Sequence, residues 1–408
     1  MSFIIMLFFM LSSWPQEQPV PPLALTLEQA VELASQQNPS LLALAREIET
    51  AQGQTLVDSA LPEAEVGLEL AGLNFPGARQ VEQETSFGVA QTIPFPGKLK
   101  LRATAGRLIE AEARLRLQKA RLLLAAEVRK VYFRSLFHQK TVEILLKNLD
   151  LLQEIQKNAM ARYALAAVPY SDILRVRLEI ARTRNDLLAA GNDLKVSRQE
   201  LALLLGLKGE TPLVLTSSLE QQPADWKLEE WLARKRELSP SLQLARLRQE
   251  RAEVFSQIVL KNRWPDFSLG FFSPSKKLGA TGLSFGLSYP LFSRKRLTGE
   301  KILAEAEKQK ALFASQAAER FYESRTRQAA GSLAQSLEQI RIFEDSLLRE
   351  TEEGLEKALS DYRLGRLDSL NLMDLYRQAS LVRLEYYRAL YLYQSALADL
   401  EMAGEDYE

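Results

Sequence analysis

The 408-residue sequence lacks several residue types and patterns, and each absence excludes a class of protein. It contains no cysteine, which excludes disulfides, thiol catalysis and zinc sites built on thiolates. Lysine plus arginine and aspartate plus glutamate number 52 each, so the basic excess typical of nucleic-acid binders is missing. No apolar run reaches the roughly 20 residues of a membrane-spanning helix.

Candidate catalytic and metal-ligating residues are equally scarce. The only histidine, His138, lies in a predicted helix with no second histidine to complete a metal site, so we interpret it as structural or solvated. No nucleophile–base set is recognisable in the sequence. The sequence therefore predicts no catalytic residue, no cofactor, no metal site and no nucleic-acid partner.

The N-terminus differs in composition from the rest of the chain. A compact apolar stretch at 3–11 is followed by Ser12, Ser13 and a proline-rich segment. This pattern predicts a secretory signal peptide at 1–15 and a proline-rich N-terminal segment at 16–25, although the first residues contain no lysine or arginine. The alternatives are an apolar N-terminal anchor and a mis-assigned start.

The sequence also contains an internal repeat. The segment SFGVAQTIPFPGK (Ser86–Lys98) returns as SFGLSYPLFSRK (Ser284–Lys295), about 200 residues later and far beyond the ~20–50 residues of a solenoid unit. NPSL and MARYALAAVPYSDIL return as SPSL and LSDYRLGRLDSLNLM at similar offsets. We therefore predict a first repeat at 26–206, a linker at 207–225 and a second repeat at 226–404.

Each repeat contains two segments with a two-residue hydrophobic period. Apolar residues alternate with small or polar ones in Glu65–Leu70 and again, more regularly, in Leu283–Tyr289. This period is typical of strands with one apolar face, so we predict β-hairpins at about 63–95 and 265–292. The apolar residues predicted to share that face are Val66, Leu68, Phe87, Val89, Phe267, Leu269, Leu283, Phe285 and Leu287.

Long helical stretches follow each hairpin. Leu99–Arg162 contains no proline and one glycine, and its roughly 60 residues correspond to a rod of about 90 Å. Leucines recur every seven residues from Leu101 to Leu122, as in closely packed, supercoiled helices. A turn ends each rod, at about 163–170 and 362–369, and a second helix runs back. Both repeats are therefore predicted to contain a long antiparallel α-hairpin.

Four short strands are too few to close a barrel, for which about eight is the practical minimum. One interpretation is a two-stranded ribbon that covers a helical core. The other is a barrel shared between several chains, which would pair every strand edge as a membrane requires. The repeated position of both hairpins beside very long helices favours the shared barrel.

The ordered set of features resembles the TolC family of trimeric outer-membrane efflux channels. The resemblance covers Leu25–Gly404 and rests on the duplicated plan, on VAQTIPFPGK (Val89–Lys98), on LLLGL (Leu203–Leu207) and on the two tip turns. It implies a mainly α-helical chain with a transmembrane β-barrel. Four strands from each of three chains would form a 12-stranded barrel, and the long α-hairpins would be periplasmic.

The family pattern at the tips is an aromatic residue or arginine, a glycine-centred turn and an acidic step into the returning helix. The second tip follows this pattern, whereas the first has Ala166 at the glycine position and an added Pro169. The resemblance implies the following tip and gate residues: Arg162, Tyr163, Ser171, Asp172, Tyr362, Gly365, Arg366 and Asp374.

The resemblance implies two roles within this set. Arg162, Asp172, Tyr362 and Arg366 would join neighbouring hairpins in a closed state. Asp374 would help to line the periplasmic aperture.

The function implied by the resemblance is passive conduction rather than catalysis. A homotrimer in the bacterial outer membrane, in contact with its lipid, would accept drugs or heavy-metal ions from a periplasmic adaptor protein and an inner-membrane pump of the RND type. The alternative is a coiled-coil envelope scaffold without channel activity. The sequence does not specify the cargo, which could be a metal ion, a drug or a polypeptide.

Overall fold

The computed structural model describes residues 22–71, 84–219, 228–274, 281–289 and 294–407. The predicted signal peptide and most of the proline-rich segment lie outside these residues. The described chain is mainly α-helical. It divides into two compact units, one formed by Met1–Pro39, Leu122–Asp225 and Arg327–Ala403, the other by Ser40–Arg121, Trp226–Thr326 and Gly404–Glu408. Each unit therefore contains parts of both sequence repeats.

The described residues of the first half form four strands and four helices, in the order β1 (Leu23–Leu25), α1 (Leu27–Gln37), α2 (Pro39–Ser59), β2 (Glu65–Ala71), β3 (Glu84–Ile93), α3 (Lys98–Ala164), α4 (Tyr170–Leu204) and β4 (Leu213–Leu215). The second half continues with α5 (Leu228–Leu238), α6 (Pro240–Lys261), β5 (Asp266–Pro274), β6 (Gly282–Ser288), α7 (Arg294–Ile342), a π-helical turn (Phe343–Leu347), α8 (Leu348–Arg363) and α9 (Ser369–Met402). None of the described helices combines the length and apolar content that a membrane-spanning helix needs.

In the first unit, a small parallel pair joins β1 to β4. The hydroxyl of Tyr132 donates to the carbonyl oxygen of Leu25 at 2.9 Å, and this tyrosine is fully buried. These two strands fall in segments that the sequence assigns to the proline-rich N-terminus and the linker. A three-residue strand is too short to show a two-residue period, which explains why sequence analysis missed both.

The end of α4 shows how a local sequence signal fixes a helix terminus. Gly206 has a φ of +76°, and a Cβ atom there would lie 2.5 Å from the carbonyl oxygen of Gln37, so only glycine fits. The amides of Gly206 and Leu207 bond back to Leu203 and Ala202 at 3.0 and 2.9 Å. The Asn38 side chain donates to the carbonyl oxygen of Leu204 at 3.0 Å, which satisfies another terminal acceptor.

The hydrophobic core of the first unit lies between α3, α4, α8 and α9. Buried residues from all four helices form one cluster, and Leu152, Val176, Tyr362 and Leu372 are among its most buried members. Burial of this apolar surface, at about 25 cal/mol per Å², is the main stabilising term for the packed hairpins.

The second unit has its own small core and a four-stranded sheet. Leu242 and Tyr322 pack together there, and burial raises the pKa of the Tyr322 hydroxyl to about 12. The buried carboxylate of Glu405 accepts a hydrogen bond of 2.9 Å from the amide of Ser241, in the first turn of α6. A carboxylate is favourable there because the helix N-terminus carries unpaired N–H groups.

The four-stranded sheet has the order β2-β3-β5-β6, and all its neighbouring strands are antiparallel. The two hairpins that lie about 200 residues apart in sequence are thus joined through the pairing of β3 with β5. Within the described residues, β2 and β6 each have one edge without a strand partner. An unpaired edge exposes a row of N–H and C=O groups that can pair with another strand.

Candidate functional site

Two regions carry the candidate functional residues: the sheet of the second unit and the hairpin tips of the first. In the sheet, the pairing registers place the predicted apolar residues on one face. Val66 pairs with Val89, which pairs with Phe271, and Leu269 pairs with Phe285. Most of this face is exposed, and the Phe285 side chain is 78% exposed. An exposed apolar surface of this kind normally marks contact with lipid or another protein.

Apart from Phe272 on β5, the opposite face of the sheet carries mainly small and polar residues. Ser284, Gly286 and Ser288 of β6 lie on it, opposite Gly270, Ser268 and Asp266 of β5. The alternation along each strand therefore separates an apolar face from a small, polar one.

The motif VAQTIPFPGK (Val89–Lys98), which spans the end of β3 and the turn after it, is held by contacts within the second unit. The buried ammonium of Lys98 donates to the carbonyl oxygen of Trp264 and to Oδ1 of Asp266, at 2.8 Å each. The same Oδ1 accepts from the amide of Phe95 at 2.8 Å, and the Phe95 ring stacks on Trp264 with 5.0 Å between centroids. Gly97 provides the left-handed residue of the turn, with a φ of +91°. The motif thus fixes the start of α3 against the start of β5.

The two hairpin tips of the first unit have the same backbone hydrogen bonds. At the first tip the amides of Ala167 and Ala166 bond to Arg162 and Tyr163, both at 2.9 Å. At the second tip Arg366 and Gly365 bond to Asp361 and Tyr362, at 2.8 and 3.0 Å. Each pair of bonds forms a Schellman motif, in which one left-handed residue ends the helix.

Arg162 of the first tip contacts Tyr362 of the second. Its Nη1 donates to the Tyr362 carbonyl oxygen at 3.2 Å, and its guanidinium carbon lies 5.2 Å from the centre of the tyrosine ring. This is the geometry of a cation–π contact combined with a hydrogen bond to the backbone. The structure therefore brings together two of the predicted gate residues within a single chain.

The Tyr362 side chain is 1% exposed, and its hydroxyl has no hydrogen-bond partner among the described residues. Burial raises the pKa of this hydroxyl, Arg162 opposes the shift, and Asp172 adds to it. Asp172 is itself buried, and Arg175 lies 3.7 Å from its carboxylate. Arg162, Asp172 and Tyr362 thus form one electrostatically coupled group.

The other predicted tip residues are exposed. Gly365 has a φ of +75°, as the predicted glycine turn requires. Tyr163 contacts Tyr170 edge to face, with 5.9 Å between ring centroids. The Asp374 carboxylate lies 3.6 Å from Arg377. The exposed members of the predicted set are Tyr163, Ser171, Gly365, Arg366 and Asp374.

Sequence analysis missed an ion pair that links the two returning helices. Nη2 and Nε of Arg377, on α9, donate to Oε2 of Glu179, on α4, at 2.8 and 3.2 Å, and Glu179 is buried. Charge-assisted contacts of this type are among the stronger ones in proteins. The available signal was the spacing of Asp172, Val176 and Glu179, which places two carboxylates on the buried face of one helix.

The profile of the family described as "Outer membrane efflux protein" matches residues 30–207. The cobalt-zinc-cadmium resistance protein CzcC of Cupriavidus metallidurans is 22% identical over 95% of this chain and 91% of its own length. The pyoverdine export outer membrane protein OpmQ of Pseudomonas putida is 25% identical over 86% of this chain and 79% of its own length. Both relatives are described by resistance or export rather than by a catalysed reaction.

Solved structures give the same fold. The chain superposes on the Campylobacter jejuni outer membrane channel CmeC with a TM-score of 0.80 and 16% identity, over 94% of this chain and 86% of that chain. Combined with the family profile and the two relatives, this likeness confirms the resemblance that the repeats and motifs predict. The chain is therefore similar along most of its length to TolC-like outer membrane efflux proteins, and its residues 30–207 match the profile of that family.

Proposed function

We propose that three copies of this chain form an exit duct in the outer membrane of a bacterium with two membranes. Each chain contributes four strands to a 12-stranded barrel, and the long helices form its periplasmic part. The duct accepts solute from a periplasmic adaptor protein and an inner-membrane pump of the RND type and conducts it passively to the exterior. It catalyses no reaction.

One observation carries this proposal: the four-stranded sheet combines an exposed apolar face with two edges that lack a strand partner within the described residues. Both features are costly for a sheet that stays alone in water. Closure with the sheets of two further copies would pair both edges, and lipid would cover the apolar face. The alternative of a coiled-coil scaffold gives no role to either feature.

The names of the relatives support export as the activity. CzcC is named for cobalt, zinc and cadmium resistance and OpmQ for pyoverdine export. We therefore propose a small solute, either a metal ion or an organic molecule, as the cargo. Within the described residues no group of His, Asp and Glu side chains could hold a metal ion.

The strand faces provide the main test. Phe285→Arg places a charge on the face proposed to contact lipid, which costs about 2–4 kcal/mol per chain near the bilayer midplane. Ser284→Arg places the same charge on the adjacent, polar face, where water is available. We expect the first variant to lose the trimer on a native gel and the second to assemble with altered conductance in planar bilayers. Equal behaviour of the two variants would contradict the barrel.

Membrane extraction separates the proposal from the scaffold alternative. A barrel surrounded by lipid requires detergent for its release, because its apolar face cannot enter water. A scaffold attached to the membrane surface is released by high salt or carbonate. Recovery of the wild-type protein in the carbonate fraction would favour the scaffold.

At the tips, we propose that Arg162, Asp172, Tyr362 and Arg366 hold neighbouring hairpins in a closed state. The contact of Arg162 with Tyr362 and the exposure of Arg366 support this role, since an exposed arginine can reach a neighbouring chain. Charge-assisted contacts contribute about 1.5–3 kcal/mol when partly buried and far less when exposed. Several such contacts, repeated by threefold symmetry, could keep a pore closed yet remain reversible.

The double variant Tyr362→Phe/Arg366→Ser tests this gate. It removes a hydroxyl and a charge while it keeps the buried ring, so we expect a higher single-channel conductance with an intact trimer. The control is Arg363→Ser, which removes an exposed arginine that is outside the predicted gate set and lies three residues before Arg366. If only the control raises the conductance, the gate lies elsewhere, for example at Asp374.

A further inference from the structure

Two neighbouring phenylalanines of β5 lie on opposite faces of the sheet. Phe271 pairs with Val89 and Leu283 on the apolar face, whereas Phe272 pairs with Gly88 and Gly282 on the small, polar face. Their exposures are nearly equal, at 44% and 42%. Phe271 belongs to the surface proposed to contact lipid. Phe272 is a large apolar side chain on the other surface, for which the lipid contact gives no explanation.

The register isolates the Phe272 ring in a row of glycines. Gly67 pairs with Gly88, Gly88 with Phe272, and Phe272 with Gly282, so this row crosses all four strands. Phe272 supplies the only side chain in the row. Glycine lowers the stability of a strand interior and often marks a site where a ligand or another backbone approaches closely. The row therefore combines open space with one aromatic ring.

The ring leans over β6. A Cβ atom built on Gly282 would lie 2.7 Å from Cζ and 2.8 Å from Cε1 of Phe272. On the β3 side, a Cβ atom on Gly88 would meet only the backbone oxygen of Phe271 and the Cβ of Phe272 within 4 Å, and no atom of the Phe272 ring. The ring thus covers Gly282, and the Phe272 side chain remains partly accessible.

The charges of the four strands indicate which ligand such a ring would favour. None of the strand sequences contains lysine, arginine or histidine. Glu65 lies on the same face as Phe272, two residues from Gly67, and is exposed. Asp266 is also on this face, but its carboxylate is paired with Lys98 at 2.8 Å. An aromatic ring on a face that has an exposed carboxylate two strands away, and no basic residue in its strands, favours cations, and a planar aromatic cation would also stack on the ring.

We infer that Phe272 is a specificity-determining residue of the duct, a contact point in the barrel lumen for planar aromatic cations. The inference rests on the proposed function, because only barrel closure turns the polar face toward a lumen. With three chains, three such rings would stand among glycines at one level of the barrel. Solutes would meet these rings as they pass.

The experiment uses the full-length protein in phosphatidylcholine nanodiscs and ethidium, a planar aromatic cation, as the probe. Ethidium binding is followed by fluorescence anisotropy. We expect Phe272→Ala and Phe272→Leu to raise the dissociation constant about fivefold, since both remove the ring. Phe272→Tyr keeps the ring and should bind as the wild type does. Phe271→Ala is the matched control, because it removes a ring of equal exposure from the other face.

Two results would overturn the inference. Unchanged ethidium binding by Phe272→Ala, with a lower dissociation temperature of the trimer, would show that the ring only shields Gly282. Equal weakening by Phe271→Ala would show that ethidium binds at the lipid surface. Wild-type protein that conducts no ions in planar bilayers would instead refute the proposed function, so the two failures are distinguishable.

Discussion

The two hairpin tips derive from the same sequence segment and fold into the same backbone turn, yet their side chains make different contacts. Tyr163 and Tyr362 occupy equivalent positions in the repeat, and the first is 47% exposed whereas the second is 1% exposed. Tyr362 belongs to the core of the four packed helices, and Arg162 lies against its ring. The duplication therefore preserves the turn and leaves each tip free to acquire its own packing.

The returning helices differ at their first residues. Asp368 precedes α9, and its carboxylate accepts a hydrogen bond of 2.8 Å from the amide of Asn371. Pro169 precedes α4 and makes no side-chain hydrogen bond to its first turn. Proline restricts its own φ to about −65°, which lowers the entropy of the unfolded chain. The second tip is thus stabilised by a side-chain hydrogen bond, and the first by the restricted backbone of its proline.

The largest expected effect comes from truncation of the buried tyrosine. Tyr362→Ala should destabilise the packed hairpins by about 3–5 kcal/mol, because it removes a fully buried aromatic side chain and leaves a cavity. Tyr163→Ala removes the equivalent, exposed ring and should cost less than about 1 kcal/mol. Hydrogen exchange of the amides around both tips measures the local opening free energy. Equal losses in the two variants would mean that the tips are equivalent in solution.

Alkaline pH should affect the stability of the two returning helices, α4 and α9, differently. Tyr376 is buried on α9, and desolvation raises the pKa of its hydroxyl from 10 to about 12, whereas the equivalent position on α4 is the exposed Arg177. The folded state therefore holds this proton more tightly than the unfolded state does. The associated stability is fully present below pH 10 and is lost as the pH rises toward 12.

The measurement is hydrogen-exchange protection of α9 at pH values on both sides of 10, with temperature adjusted for intrinsic exchange. We expect protection to fall in the wild type and to fall less in Tyr376→Phe, which has no proton to lose. An identical decline in both proteins would assign the alkaline loss to other groups.

The sequence predicts those features that depend on neighbouring residues. The strand faces follow from the alternation in segments such as Leu283–Tyr289, and the helix end at Gly206 follows from a glycine after a leucine run. Features that depend on how distant segments meet could not be predicted. The ion pair of Glu179 with Arg377 requires the register between two hairpins.

The same limit applies to the π-helical turn at Phe343–Leu347, which lies in only one of the two long rods among the described residues. Its sequence, FEDSL, contains no glycine or proline that would mark a break. Within the turn, Glu344 accepts a hydrogen bond of 3.0 Å from the hydroxyl of Tyr386 on α9. Packing between helices, which the sequence of one segment does not encode, accompanies this change of helical period.

The smallest and most direct test exchanges the left-handed residues of the two turns. Ala166 has a φ of +52° and Gly365 a φ of +75°, so the first turn holds an alanine in a conformation that disfavours a Cβ atom. Gly365→Ala should destabilise the second turn by about 1–2 kcal/mol, and Ala166→Gly should stabilise the first by up to about 1 kcal/mol. Space does not limit either change, since a Cβ on Gly365 would lie 3.6 Å from Nη2 of Arg162.

The two substitutions should therefore shift the hydrogen-exchange protection of their own tips in opposite directions and leave the other tip unchanged. The double variant, in which the first turn has glycine and the second has alanine, should reverse the order of local stability of the two turns. A loss of protection in Ala166→Gly would show that side-chain packing of this alanine, and not its backbone conformation, determines the stability of the first tip.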